Sequence, residues 1–170
     1  KSIEKILPTV EKVIEKVVKN FMNGGRLFYV GAGTSGRLGM LDASECPPTF
    51  MSDPELVQVV MAGGQSAFFQ AVENAEDLLE DGIAKLKERN ITQWDSVIGI
   101  TASGSTPFVM GALQYAKSVG AFTVSLTSNL NSEISSHVDE AIEVVVGPEI
   151  LTGSTRLKAA TSHKMILNMI

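Results

Sequence analysis

Residues 26–37 read RLFYVGAGTSGR, and this stretch decides the fold. Its first part, Arg26 to Val30, is short, apolar and partly aromatic, the composition of a strand buried on both faces. The chain then passes directly into Gly31-Ala32-Gly33-Thr34-Ser35-Gly36-Arg37, ahead of a helical stretch at Gly36 to Glu45. A buried strand that hands a glycine-rich turn to a helix is how a βαβ unit begins. Moving outward, Leu56 to Met61, Ser96 to Ile100, Phe122 to Leu126 and Ala141 to Val146 also read as strands. Helical stretches lie at Ser66 to Arg89, at Pro107 to Val119, more weakly at Ser132 to His137, and at Arg156 to Ile170. Upstream, Ile3, Ile6, Val10, Val13, Val17 and Phe21 recur at spacings of three and four opposite Lys12, Lys16 and Lys19, which predicts an amphipathic helix. Asn23-Gly24-Gly25 supplies residues that tolerate a left-handed stop. Strands alternating with helices predict an α/β fold, a three-layer α/β/α sandwich with a five-stranded parallel sheet and right-handed crossovers. No repeat or Pro/Gly/Ser linker divides residues 1–170, which read as a single domain.

Composition narrows the function. The 170 residues suit about one domain, and 44% hydrophobic with 19% charged residues exclude a disordered or low-complexity chain. A net charge of −5 without a basic stripe argues against a nucleic-acid partner, so any anionic ligand must be held locally. Cys46 has no disulfide partner, and with only His137 and His163 beside it no structural zinc site can be built; no metal is expected, and a reducing cytoplasm fits. No apolar run nears the roughly 18 residues of a membrane span. The sequence opens at Lys1 and ends inside an apolar, helix-like pattern, Lys164 to Ile170, which reads as a piece of a longer chain.

In a parallel α/β sheet ligands bind beyond the carboxyl ends of the strands. Here those ends are uniformly small and hydroxylated: Thr34 and Ser35 after the first strand, then Thr101-Ala102-Ser103-Gly104-Ser105-Thr106, Thr127-Ser128-Asn129 and Thr152-Gly153-Ser154-Thr155. Any one loop is accounted for by turns and helix caps. Four of them on one edge favour a phosphate cradle of backbone N–H groups, hydroxyls and helix ends. Gly31, Gly33 and Gly36 satisfy GxGxxG, but a dinucleotide site also wants an acid after the second strand, and that strand runs into Ala62-Gly63-Gly64. No Walker-type GxxxxGK[ST] occurs either.

Two groups of acids follow. Asp42 and Glu45 lie three apart, and Cys46-Pro47-Pro48 is expected to stop the helix just after Glu45. A carboxylate at a helix C-terminus should have a raised pKa, which suits a general acid; an ordinary solvated acid fits the spacing equally well. Glu73, Glu76, Asp77 and Glu80 form an acidic stripe opposite Val72, Ala75, Leu79 and Ile83, most simply the wet face of a helix, and nothing in the pattern singles out Glu76. Lys158, four residues beyond Ser154, is the cation best placed for a phosphate, with a solvated lysine the open alternative. His163 reads as a helix-surface or interface residue, and Phe68, Phe69 and Trp94 as packing residues.

The runs GRLFYVGAGTSGRLGMLDASECPPTF (25–50), AVENAEDLLEDG (71–82), ITASGSTPF (100–108) and GPEILTGSTRLKAATSHKMILNM (147–169) resemble the N-acetylmuramic acid 6-phosphate etherases. That family has the sugar isomerase (SIS) phosphosugar-binding fold and is related to the glucokinase regulatory protein. The resemblance spans nearly the whole chain and implies a lyase that cleaves a D-lactyl ether from a phosphorylated amino sugar, without cofactor, as a homodimer. It places acid/base roles on Glu45 and Glu76, with Glu45 as proton donor to the leaving oxygen. The sugar phosphate falls to Thr34, Ser35, Gly36, Ser103, Gly104 and Thr106, with Ser154 and Lys158 at the margin. Members run longer, with a C-terminal helical portion beyond this chain. They mostly read ASGRTP where this chain has Ser105, so one guanidinium expected near the phosphate is missing. A non-catalytic phosphosugar regulator is the competing reading; the DASECPP string, Asp42 to Pro48, favours the enzyme.

Overall fold

The computed structural model describes residues 1–170. Five strands, β1 (Leu27–Gly31), β2 (Val57–Met61), β3 (Ser96–Ile100), β4 (Phe122–Thr127) and β5 (Glu140–Glu143), form one parallel sheet in the order β2-β1-β3-β4-β5. The expected three-layer sandwich is therefore present. β1, β3 and β4 are buried at every position, including the small hydroxyl residues Ser96, Thr123, Ser125 and Thr127, whereas the edge strands β2 and β5 are only partly covered. Register is level across the centre: Leu27 lies beside both Val57 and Ser96, and Ser96 beside Phe122.

Alternation along β1 divides the core in two. Phe28 and Val30 face α4 (Pro107–Ser118) and the end of α3 (Leu79–Lys87), through Phe108, Val109, Leu113 and Leu86. Leu27 and Tyr29 face α1 (Leu7–Met22), α2 (Gly33–Phe50) and α5 (Lys158–Leu167), through Val13, Val17, Ala43 and Ile166. α3 and α4 touch backbone to backbone: a Cβ at Gly82 would sit 2.0 Å from the Phe108 carbonyl oxygen, and one at Gly111 would sit 2.2 Å from that of Leu79. No helix is long and apolar enough to cross a membrane.

Three sequence expectations are corrected. α2 does not stop at Glu45 but runs through Pro47 and Pro48 to Phe50, closing on Met51 in the left-handed region with its N–H on the Pro47 carbonyl, 2.9 Å. The two prolines withdraw donors from the last turns without breaking them, so Glu45 is not at the negative end of a dipole. The stretch expected as one helix over 66–89 is broken into 3₁₀ turns at Gln65–Phe68 and Ala75–Asp77 followed by α3, with Asn74 left-handed at φ 58°. The acids of the supposed stripe consequently do not share a face, and Phe69 is 92% exposed rather than packed.

His163 is the third. It is 1% exposed on the inner side of α5, with Nε2 3.0 Å from the Ser128 hydroxyl. Burial pushes its pKa down from 6.5 to about 4, while a backbone hydrogen bond to Thr127 pulls the other way. Between those values the unfolded chain binds the extra proton and the native chain does not. The native state thus keeps its full stability above pH 6.5 and loses about 3 kcal/mol as pH falls toward 4. In thermal melts, His163→Gln is expected to flatten the fall in Tm across that window relative to the parent.

Candidate active site

The strand order places the topological switch point between β1 and β3, where one connection leaves toward β2 and the other toward β4. A cavity of about 210 Å³ opens there, beyond the carboxyl ends of both strands. Ala32, Gly33, Thr34 and Ser35 line it from β1 and α2; Thr101, Ala102, Ser103 and Thr106 line it from β3 and the start of α4; Glu76 and Thr155 complete it. Neither helix start is capped by a side chain, so the first N–H groups of α2 and α4 are left for an anion. A volume below the roughly 300 Å³ at the lower end of small-molecule pockets suits an anionic head, with the rest of a ligand lying outside. A larger groove, about 770 Å³, lies between residues 1–7 and α5, lined by Ile3, Leu7, Met165 and Met169 together with Lys1, Glu4 and Lys158, and no residue of the loops after β1, β3 or β4 reaches it.

The β3 loop is organised by its own hydroxyls. Thr101 Oγ1 lies 2.7 Å from Thr106 Oγ1 and 3.2 Å from Ser103 Oγ, and it accepts the Gly104 N–H at 3.3 Å. From the β4 end, Asn129 donates its amide to the carbonyls of Ala102, 3.3 Å, and Ser103, 3.0 Å. Ser105, at the position of the missing arginine, is exposed and turns back to donate to Ser103 Oγ. Gly104 sits at φ +80°, and a Cβ there would lie 2.2 Å from that of Ser132. Gly104→Ala therefore combines left-handed strain with a steric clash, an expected cost of about 1–3 kcal/mol. Urea unfolding checks the cost, and phosphosugar titration should show weakened binding in the same variant.

The structure brings Thr34, Ser35, Ser103, Thr106 and Glu76 to one cavity. Gly36 is adjacent but buried, and it serves packing: a Cβ would sit 2.1 Å from Met61 Sδ and 2.8 Å from the Gly31 carbonyl oxygen. Gly104 shapes the loop rather than lining the cavity. Ser154 lies just off the lining, and its neighbour Thr155 takes the place on the wall. Lys158 is not there at all: its Nζ donates to the Pro148 carbonyl, 2.8 Å, and it borders the larger groove. The N–H groups of Lys158 and Ala159 are taken by Glu149, whose carboxyl they hold below its ordinary pKa.

Glu45 stands apart as well. It is exposed on α2, eleven residues along the helix from Thr34, about 16 Å by helical rise. Asp42, three residues before it, accepts the hydroxyl of buried Tyr29 at 2.8 Å. Burial raises the Asp42 pKa, with the Tyr29 hydrogen bond and Lys164 pulling it back; burial and Asp42 together push the Tyr29 phenol well above its ordinary value. That pair ties α2 to the sheet and lies outside the cavity. Thr101 and Thr155 line the cavity without having been singled out in the sequence, although both sit inside loops whose composition marks them.

The fold and site together define a doubly wound α/β domain with an open, hydroxyl-lined cavity at its switch point. A family model for the SIS domain matches residues 66–169, and one for the glucokinase regulatory protein N-terminal SIS domain matches residues 9–117; the chain belongs to the SIS domain family. Over 169 residues it is 55% identical to N-acetylmuramic acid 6-phosphate etherase of Bacillus subtilis and 57% identical to that of Oenococcus oeni. Both alignments cover 99% of this chain but only 56% and 57% of those proteins, so the chain spans just over half the length of these relatives. Among solved structures, phosphoheptose isomerase from Neisseria gonorrhoeae superposes with a TM-score of 0.76 at 16% identity, over 98% of this chain and 85% of the other. The Vibrio vulnificus NanR protein complexed with ManNAc-6P gives 0.61 at 18% identity, over 95% and 52%. At such identities the likeness establishes the fold alone.

Proposed function

We propose that the whole protein to which this chain belongs is a lyase that cleaves the D-lactyl ether of N-acetylmuramic acid 6-phosphate, yielding N-acetylglucosamine 6-phosphate and D-lactate. One observation carries this reading: a single carboxylate, Glu76, faces the hydroxyl-lined cradle in a chain more than half identical to named etherases. The phosphate is held by Thr34, Ser35, Ser103 and Thr106 with the free N–H groups of α2 and α4. In the open-chain sugar the aldehyde acidifies the C2 proton. A base removes it, the C2–H electrons form the C2=C3 double bond, and the C3–O bond breaks as an acid protonates the departing lactate oxygen. Water then adds, its oxygen to C3 and a proton to C2. Two carboxyl groups are sufficient for these transfers. Glu76, beside the cradle, is assigned the C2 proton, and Glu45 the leaving oxygen.

Because Glu45 lies about 16 Å along α2 from Thr34, its role requires an interface that brings it to a cradle other than its own. A homodimer meets that need, and the cytoplasm, where phosphorylated sugars are retained, is the proposed compartment. Incubating the whole protein with N-acetylmuramic acid 6-phosphate and measuring D-lactate enzymatically tests the reading; no release defeats it. The match to the glucokinase regulatory protein domain favours a second reading, a phosphosugar-binding regulator, which predicts binding of the phosphosugar without lactate.

A further inference from the structure

The second arginine of the opening stretch, Arg37, lies outside the hydroxyl cavity. Arg37 lies one turn below the α2 start, and its guanidinium reaches the segment that precedes Glu76. Nη2 donates to the carbonyls of Ala67, 2.9 Å, and Gln70, 3.3 Å, while Nε donates to that of Phe68, 3.3 Å. A helix continuing through this segment would bond those same carbonyls to N–H groups four residues on. Arg37 takes their place and leaves the chain as a loop. Between buried Ala67 and buried Ala75 the residues 69–74 are all exposed, so apolar burial does little to hold them. Within it, Val72 packs against Gly63. Glu76 follows directly, on the wall between the cradle and a second cavity of about 220 Å³ that Arg37 also lines.

We infer that Arg37 is a positioning residue: by clamping the carbonyls of residues 67, 68 and 70 to α2, it holds Glu76 at a set reach from Thr34 and Ser35 on the same helix. The planar fork of a guanidinium can serve three carbonyls at once, and a lysine ammonium on a flexible stem cannot reproduce that geometry. The inference rests on Glu76 being the acid/base group proposed above.

The test uses Arg37→Ala and Arg37→Lys in the whole protein, with D-lactate kinetics and native-state hydrogen exchange. Both variants are expected to lower kcat by about 10- to 100-fold, the effect of displacing a reacting group by roughly 1 Å. KM should stay within about twofold, because the phosphate ligands are untouched. The bonded amides of Ala67, Phe69, Gln70 and Asp77 should exchange about tenfold faster or more, while those of β1 and α2 keep their protection. A loss confined to KM would make Arg37 a phosphate ligand and overturn the inference, as would an unchanged kcat or full rescue by lysine. If the parent itself releases no lactate, the exchange data still decide: faster exchange over 67–77 upholds the clamp and places the failure on the proposed activity, and unchanged exchange overturns the clamp.

Discussion

Glu76→Gln is expected to reduce D-lactate release by about 10²- to 10⁴-fold, the usual contribution of a positioned acid/base group. Glutamine keeps the size and shape of the side chain but removes its negative charge and its capacity to take up and release a proton. Glu76 is exposed and enters no hydrogen bond or ion pair within the chain, so folding should not suffer. Tm and phosphosugar affinity should remain at parental values while kcat collapses. A full rate in this variant would remove Glu76 from the chemistry. Glu45→Gln should show a comparable loss for a different geometric reason. If Glu45 acts across an interface between two copies, mixing the two inactive variants should recover part of the activity, since some mixed dimers retain one intact pair. No recovery from a mixture shown to exchange subunits would place Glu45 elsewhere.

The second large effect concerns stability. Asp95 is 1% exposed just before β3 and gathers the base of the sheet. Its Oδ1 accepts the Arg26 N–H at 2.7 Å, and its Oδ2 accepts Arg26 Nη2 at 2.9 Å and the Thr92 N–H at 2.8 Å. Arg26 opens the residues leading into β1, so one carboxylate joins the entries of two central strands. Asp95→Ala leaves these donors unpaired and is expected to cost about 3–5 kcal/mol, a large share of a single domain's stability. Urea unfolding reads it directly. A cost below about 1 kcal/mol, the range of a surface ion pair, would mean that solvent replaces the carboxylate easily.

The same group carries a pH dependence opposite in origin to that of His163. Burial alone would raise the Asp95 pKa, but the Arg26 side chain and the N–H groups of Thr92 and Arg26 outweigh it and hold the carboxyl below its ordinary value. The stabilisation is therefore present above the unfolded value, about pH 4, and is lost as pH falls through the lower folded value. His163 erodes stability from pH 6.5 downward, and Asp95 only below about 4. The two single variants should flatten the stability curve in separate windows.

Much of the architecture was legible in the sequence. The strands announced themselves because β1 and β3 are short, mostly apolar runs and β4 alternates apolar with small hydroxyl residues, each closed by glycine or a hydroxyl residue, and the hydroxyl loops were visible as the residues following them. Errors fell where one local signal met a tertiary partner. Cys46-Pro47-Pro48 read as a stop, yet α2 runs through both prolines to Phe50, where Met51 closes it in the left-handed region. The 66–89 stretch had helical periodicity, yet Arg37, some thirty positions earlier, captured the carbonyls that a helix needs. Lys158 had the right charge and spacing for a phosphate, and it was claimed by Pro148.

By itself the sequence determined the layer order, the edge of the sheet where ligands bind and the hydroxyl character of the cradle, because these follow from hydrophobic periodicity and from which residues succeed each strand. Only the tertiary structure decided which acids and cations share that cradle. Placement of Glu76 beside Thr34 and Ser103, with Glu45 left outside, depends on where a loop without periodicity is pinned and where a helix ends. The loop is pinned by contacts between residues far apart in the chain, Arg37 to the carbonyls of Ala67, Phe68 and Gln70, to which local spacing is blind.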